Sequence, residues 1–297
     1  MLTRRDVLAG GLGGLGGLAP ARPVLARDIV RVPIEVTDTG LPVIGAVIDG
    51  RRLRFIVDTG AQINAIRRDL VAPLHLRRVG HRPGIGADGR VTVADYVAYG
   101  VILGGALHEA RLPLSAIAGL TTYDGLLSAG LLTAYPSVLD YGAREIRLYP
   151  GSRLDLSGYS MIRSKVVRPG LDLAPRFHCP FSIAGLPLSG MLDTGFETEV
   201  FLNAGIVRRH GLWDRFPVRE AETFHGMAGK RLVTRVVDMP NLRLGDIERT
   251  SVRVTLADPA GHGMPAISAD VGIIGASLLK HFAIAFAGGD RLGLRPV

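Results

Sequence analysis

Phe55-Ile56-Val57-Asp58-Thr59-Gly60-Ala61 has a second, shorter version later in the chain, Met191-Leu192-Asp193-Thr194-Gly195. Each triplet Asp-Thr-Gly ends an apolar run that reads as a strand. Each strand is entered through a two-residue turn, Asp49-Gly50 or Ala184-Gly185, of the type that closes a β-hairpin. The two threonines stand 135 positions apart, and the turn glycines keep the same spacing. One Asp-Thr-Gly would read as a turn, because turns favour Asp and Gly. Two copies on matching hairpins read as a duplicated unit that delivers one carboxylate per copy.

The repeat extends well beyond the triplets. Gly84 to Val91 corresponds to His225 to Leu232, each a glycine-rich turn followed by alternating β-branched residues. These are expected hairpin tips, with Gly86 and Gly89 in one and Gly226 and Gly229 in the other. Val101-Ile102-Leu103-Gly104 matches Leu242-Arg243-Leu244-Gly245, and Asp124-Gly125-Leu126-Leu127 matches Val271-Gly272-Ile273-Ile274. Short apolar helices are expected at about 129–134 and 276–281, and closing hairpins at 137–150 and 282–296. The offset grows to 141 at Gly104/Gly245 and to 147 at Gly125/Gly272, as small loop insertions would produce. The expected organisation is a first lobe over 27–150, a polar linker over 151–170 and a second lobe over 171–297.

Composition agrees with a β-rich protein. Of 297 residues 47% are hydrophobic, enough for one large core or two small ones, and 39 Gly with 18 Pro supply many turns. The net charge is +8, but the arginines are scattered and no block of like charge occurs, so nucleic acid is not the expected partner. The single cysteine, Cys179, excludes an intramolecular disulfide. It follows His178 on an expected strand, where neighbours face opposite sides, so it reads as a half-buried structural residue and not as a nucleophile. The eight histidines are dispersed without zinc-type spacing, no G-x-S-x-G elbow occurs, and no metal or cofactor is expected.

The N-terminus reads differently. Arg4-Arg5 precede a Gly/Leu-rich segment running to Leu18, and Val24-Leu25-Ala26 offers a small-residue end. This pattern is expected to be a twin-arginine export signal over 1–26, cleaved after Ala26 to leave a periplasmic or secreted protein. The segment is too short and glycine-rich to span a bilayer stably. Gly11 to Gly16 fits G-x-G-x-x-G but lacks a preceding strand, so it is not a dinucleotide loop.

On both Asp-Thr-Gly segments and on the later Asp124-Gly125-Leu126-Leu127 and Gly272-Ile273-Ile274-Gly275, the chain resembles the pepsin-like aspartic proteases and, more closely, the retropepsin-like family found in bacteria. The resemblance covers nearly the whole chain after the signal. It implies an all-β, two-lobed acid-protease fold with pseudo-twofold symmetry and short helices. It implies an aspartic endopeptidase with Asp58 and Asp193 as the catalytic pair. Thr59 and Thr194 would tie the two loops together, Gly60 and Gly195 would permit close approach, and the glycine-rich tips would fold over a peptide or protein substrate. The chain is expected to act as a monomer without stable membrane insertion; the alternatives are a homodimer and a peptide-binding protein of the same fold without catalysis. Two departures bear on that choice. Phe196 stands where the family usually has a small residue, and Ser128 replaces an expected glycine that the second half keeps at Gly275.

Overall fold

The computed structural model describes residues 2–3, 29–86, 89–168, 170, 173–225, 231–261, 263–265 and 267–297. The expected export signal, apart from residues 2–3, lies outside the described residues, as do Gly226 and Gly229. Leu2–Thr3 adds a short parallel strand at Leu107–His108.

The two hairpins expected from the repeat are present with almost the same dimensions. Pro42–Ile48 pairs antiparallel with Arg51–Asp58, and Arg176–Ile183 pairs antiparallel with Leu186–Asp193. Both two-residue turns take the left-handed conformation at both positions, with φ 48° and 73° at Asp49-Gly50 and 50° and 77° at Ala184-Gly185. That geometry matches the right-handed twist of paired strands and closes each hairpin tightly.

Each aspartate strand then gains a parallel neighbour from the later motif. Gly125–Ser128 lies beside Arg51–Asp58 with Ser128 opposite Asp58, and Val271–Gly275 lies beside Leu186–Asp193 with Gly275 opposite Asp193. A short strand, Ala65–Arg67 or Val200–Leu202, runs antiparallel on the far side. The loop carrying each carboxylate is thus flanked by strands that fix where it emerges. The sheets continue into long hairpins, Arg77–Gly86 with Gly89–Leu103 in one lobe and Val218–His225 with Arg231–Leu244 in the other.

A six-stranded sheet joins the lobes, in the order Ser160–Arg163, Arg291–Pro296, Phe282–Phe286, Ser137–Asp140, Glu145–Leu148, Val30–Pro33. Its centre is the pairing of the two closing hairpins, Ser137–Asp140 against Phe282–Phe286. Its edges are Val30–Pro33 and Ser160–Arg163, the strand that opens each half. The expected linker therefore contributes structure: besides Ser160–Arg163, it supplies Lys165–Val167 to the second lobe's sheet. The short helices are trimmer than expected, Gly130–Thr133 and Ala276–Leu279. A helix not read from the sequence, Ala204–Arg209, is capped by the Asn203 side chain, which accepts from Ala204 N at 2.9 Å.

One apolar cluster runs through both lobes and the joining sheet, including Phe55, Leu114, Leu139, Phe181, Ile274 and Ile284. Cys179 belongs to it and is fully, not half, buried, because its face of the strand looks into this core while His178 looks away. Burial pushes its thiol up to about 12, so it stays protonated and inert.

Leu139 and Ile284 are register partners at the centre of the joining sheet and neither is exposed. Leu139→Ala is expected to lower unfolding stability by about 2–5 kcal/mol, the range for a large-to-small change in a packed core. Urea denaturation followed by fluorescence measures it.

Candidate active site

The two Asp-Thr-Gly loops meet where the lobes face each other, and they hold each other in place. Thr59 Oγ1 donates to Leu192 O at 2.8 Å and accepts from Thr194 N at 3.0 Å. Thr194 Oγ1 donates to Val57 O at 2.5 Å and accepts from Thr59 N at 3.1 Å. Each hydroxyl thus satisfies one donor and one acceptor of the opposite loop. Both threonines are completely buried, so no solvent competes for these groups.

This lock sets the approach of the carboxylates. A Cβ on Gly60 would lie 2.3 Å from Asp193 Oδ2, and one on Gly195 would lie 2.4 Å from Asp58 Cγ. Each glycine leaves space that the opposite aspartate occupies. The Asp58 and Asp193 carboxyl groups hydrogen-bond to each other. Sequence reasoning on Asp58, Thr59, Gly60, Asp193, Thr194 and Gly195 therefore picked six residues that the fold gathers at one point.

The environments of the two carboxyls differ. Asp58 Oδ1 accepts from Gly60 N at 2.8 Å and Ala61 N at 2.9 Å, whereas Asp193 Oδ1 accepts from Gly195 N at 3.0 Å. In the second loop the Phe196 N–H bonds the Asp193 backbone carbonyl at 3.4 Å. Burial raises both carboxyls above 3.8. Asp193 is held well above it, by burial first and then by the charge of Asp58. Two backbone N–H bonds favour the ionised form of Asp58 and one favours that of Asp193, so Asp193 is the more strongly raised of the two.

Arg176 was not singled out from the sequence. It begins the strand leading to the second hairpin, and its Nε donates to Gly60 O at 2.8 Å across the lobe boundary. Its charge favours the ionised form of both aspartates. The available signal was an asymmetry in the repeat: Leu41 stands as far before Asp58 as Arg176 stands before Asp193. Asn64 was also missed. Its Oδ1 accepts from Ser128 N at 2.9 Å and Ser128 Oγ at 3.0 Å, so Ser128 anchors the first loop. Glycine is required in the second half, where a Cβ on Gly275 would lie 2.2 Å from Thr198 O.

A cavity of about 300 Å³ opens above the pair. Its roof includes Pro83, Gly84 and Val91 of the first-lobe hairpin, and its second-lobe wall includes Phe196, Met264 and Ile267. Phe196 packs edge-on against Phe201, centroids 5.5 Å apart, and shapes the wall while leaving the carboxyl contact intact. Gly86 and Gly89 are register partners at the end of that hairpin. Asp270 is drawn to Arg209 at the surface, and Asp140 to Arg147 beside the joining sheet; neither belongs to the cavity. Among the described residues, no group of three or more His, Cys, Asp or Glu side chains is gathered to hold a metal ion.

Thr194→Val removes the hydroxyl that serves Val57 O and Thr59 N. Leaving those buried groups unpaired is expected to cost about 1–3 kcal/mol. Thr194→Ser is expected to restore most of the loss. Urea denaturation of both variants tests whether the hydroxyl, and not the methyl group, carries the effect.

A family model described as aspartyl protease matches residues 44–133, which span the first hairpin, Asp58-Thr59-Gly60 and the Gly125–Ser128 strand. No curated protein matches the chain. The family-model match supports an aspartic-protease family for this chain and a peptide-hydrolysing function.

Proposed function

We propose that the chain is an exported aspartic endopeptidase that hydrolyses peptide bonds with a water activated between Asp58 and Asp193. The observation that carries this is the hydrogen-bonded carboxyl pair, locked by reciprocal threonine bonds at the floor of a cavity. Two adjacent carboxyls cannot both ionise readily, so they retain one proton between them, as the paired aspartates of aspartic proteases do.

The asymmetry favours one division of roles. Asp58, ionised, takes a proton from water as its oxygen attacks the scissile carbonyl carbon. Asp193 gives its proton to the carbonyl oxygen, forming a neutral tetrahedral diol. Asp58 then passes its proton to the leaving nitrogen, the C–N bond breaks, and a diol proton returns to Asp193. The first-lobe hairpin covers the extended peptide, whose main chain pairs with it as an added strand. Export rests on the Arg4-Arg5 segment; no helix among the described residues is long and apolar enough to cross a membrane.

A reading as a peptide-binding protein without catalysis draws on Phe196 alone, and Phe196 does not disturb the carboxyl pair. Asp58→Asn and Asp193→Asn are each expected to abolish cleavage of a mixed peptide library while leaving the fold intact. Unchanged turnover in either variant removes that residue from the mechanism. Wild-type activity is expected to follow a bell-shaped pH profile belonging to the pair. Its alkaline limb should lie above the ordinary carboxylate range, because Asp193 is raised.

Stability gives an independent reading. A carboxyl raised on folding holds its proton in the native chain after the unfolded chain has released it. Its stabilising contribution is complete below 3.8 and is lost as pH rises through the native value. At neutral pH the native state therefore carries a penalty that Asp193→Asn removes. The variant is expected to have a higher urea midpoint than the wild type at neutral pH, with the difference vanishing in acid.

A further inference from the structure

The cavity above the aspartates does not end there. Gln62, Ile63, Arg82 and Leu173 border both it and a second cavity of about 560 Å³ on the first lobe, so the cleft continues into this arm. The described residues of the arm are cationic on balance. Among its described residues the one carboxylate is Asp95, buried and already committed: Ser115 Oγ donates to Oδ1 at 2.6 Å and Arg82 Nε to Oδ2 at 2.7 Å. Arg111 and Arg168 also border the arm, both exposed, and neither has an ion-pair partner among the described residues.

The repeat makes this charge informative. Glu197 stands at the second-lobe position that Gln62 holds in the first, and Asp238 lies on the corresponding hairpin strand. The cavity bordered by these two residues, about 740 Å³, has five carboxylates against three Lys or Arg side chains among its described residues. Duplicated structure would give both lobes the same sign. The opposite signs belong to this chain's side chains and not to the fold.

We propose that the first-lobe arm is a subsite for an acidic side chain, so that the preferred substrate is a peptide carrying Asp or Glu near the scissile bond on the side laid against the first lobe. The inference rests on the endopeptidase reading and narrows it to a substrate class. A carboxylate entering the arm meets the Arg111 and Arg168 guanidinium groups, which have no charge partner among the described residues, and Arg offers paired N–H donors. Among the described residues it also meets no free negative charge there, because Asp95 is held by Arg82 and Ser115. A lysine in the same place would face like charges. The contrary charge on the second lobe favours one direction of peptide in an otherwise pseudo-symmetric cleft.

The test uses a fluorescein-labelled peptide series: a short neutral core with a single Glu or a single Lys moved stepwise along it. Binding is read by anisotropy to Asp193→Asn protein, and cleavage is read separately with the wild type. At one or more positions on one side of the core, Glu is expected to bind about tenfold tighter than Lys, the scale of one or two partly exposed charge-assisted contacts. The preference should shrink in high salt. Arg111→Glu/Arg168→Glu is expected to reverse it while leaving hydrolysis of the neutral core unchanged. Equal binding of Glu and Lys peptides at every position, or a preference that survives the charge reversal, overturns the proposal. Cleavage without charge preference overturns the arm and leaves the endopeptidase reading standing. Selective binding of Glu peptides with no cleavage by the wild type supports the arm and overturns the endopeptidase reading.

Discussion

Two threonine hydroxyls carry the arrangement. Thr59 and Thr194 each bond a backbone donor and a backbone acceptor that belong to the other loop. Neither loop can satisfy its own buried polar groups, so neither lobe is complete alone. An unpaired buried N–H or C=O costs as much as a lost hydrogen bond, and the cheapest arrangement is the one in which the loops meet. The meeting of the loops brings two carboxyls together in a buried site. The fold therefore stabilises, through four neutral hydrogen bonds, a contact that two ionised carboxylates would oppose.

The duplication supplies the framework, and departures from it supply the chemistry. If the halves were identical, the two carboxyls would be equivalent and the proton would have no preferred home. Ala61 donates a second backbone bond to Asp58, while Phe196 turns its N–H to the main chain. Arg176 reaches from the second lobe to the first loop, and Leu41 makes no matching contact from the first lobe. The Ala61 bond lowers the ionised form of Asp58 relative to that of Asp193, while the charge of Arg176 favours the ionised form of both. The same principle extends outward: among the described residues, arginines outnumber carboxylates in the cavity beside the first loop, and carboxylates outnumber Lys and Arg in the one on the second lobe.

The sequence made the framework legible because its signals are local. Asp49-Gly50 and Ala184-Gly185 mark turns whose φ values are the ones such pairs adopt, and the apolar runs after them form the strands that end at Asp58 and Asp193. The equal spacing of the triplets implied that the loops are related, and the threonine lock is the physical form of that relation. What was not legible depends on partners distant in sequence. Ser160–Arg163 lies in the polar segment 151–170 that reads as a linker, yet it completes a sheet edge by pairing with Arg291–Leu294, and nothing local predicts that partner. Asn64 and Ser128 meet only when two short strands lie side by side. Arg176 looks like one of many arginines until the lobes close and place Gly60 O within its reach. The twin-arginine reading rests on composition, and apart from Leu2–Thr3, which pair with Leu107–His108, its residues lie outside the described ones.

Everything in the proposed chemistry requires that Asp58 and Asp193 share one proton, held by Asp193. Carbon-13 NMR of labelled aspartate side chains, assigned with Asp58→Asn and Asp193→Asn and followed against pH, reads it most directly. Above the ordinary carboxylate range one carboxyl carbon is expected still to report a protonated group, to belong to Asp193, and to titrate well above the ordinary value of 3.8. Two carboxyls that titrate independently near that value would contradict it, because they would be solvated, separate and unable to act as a pair.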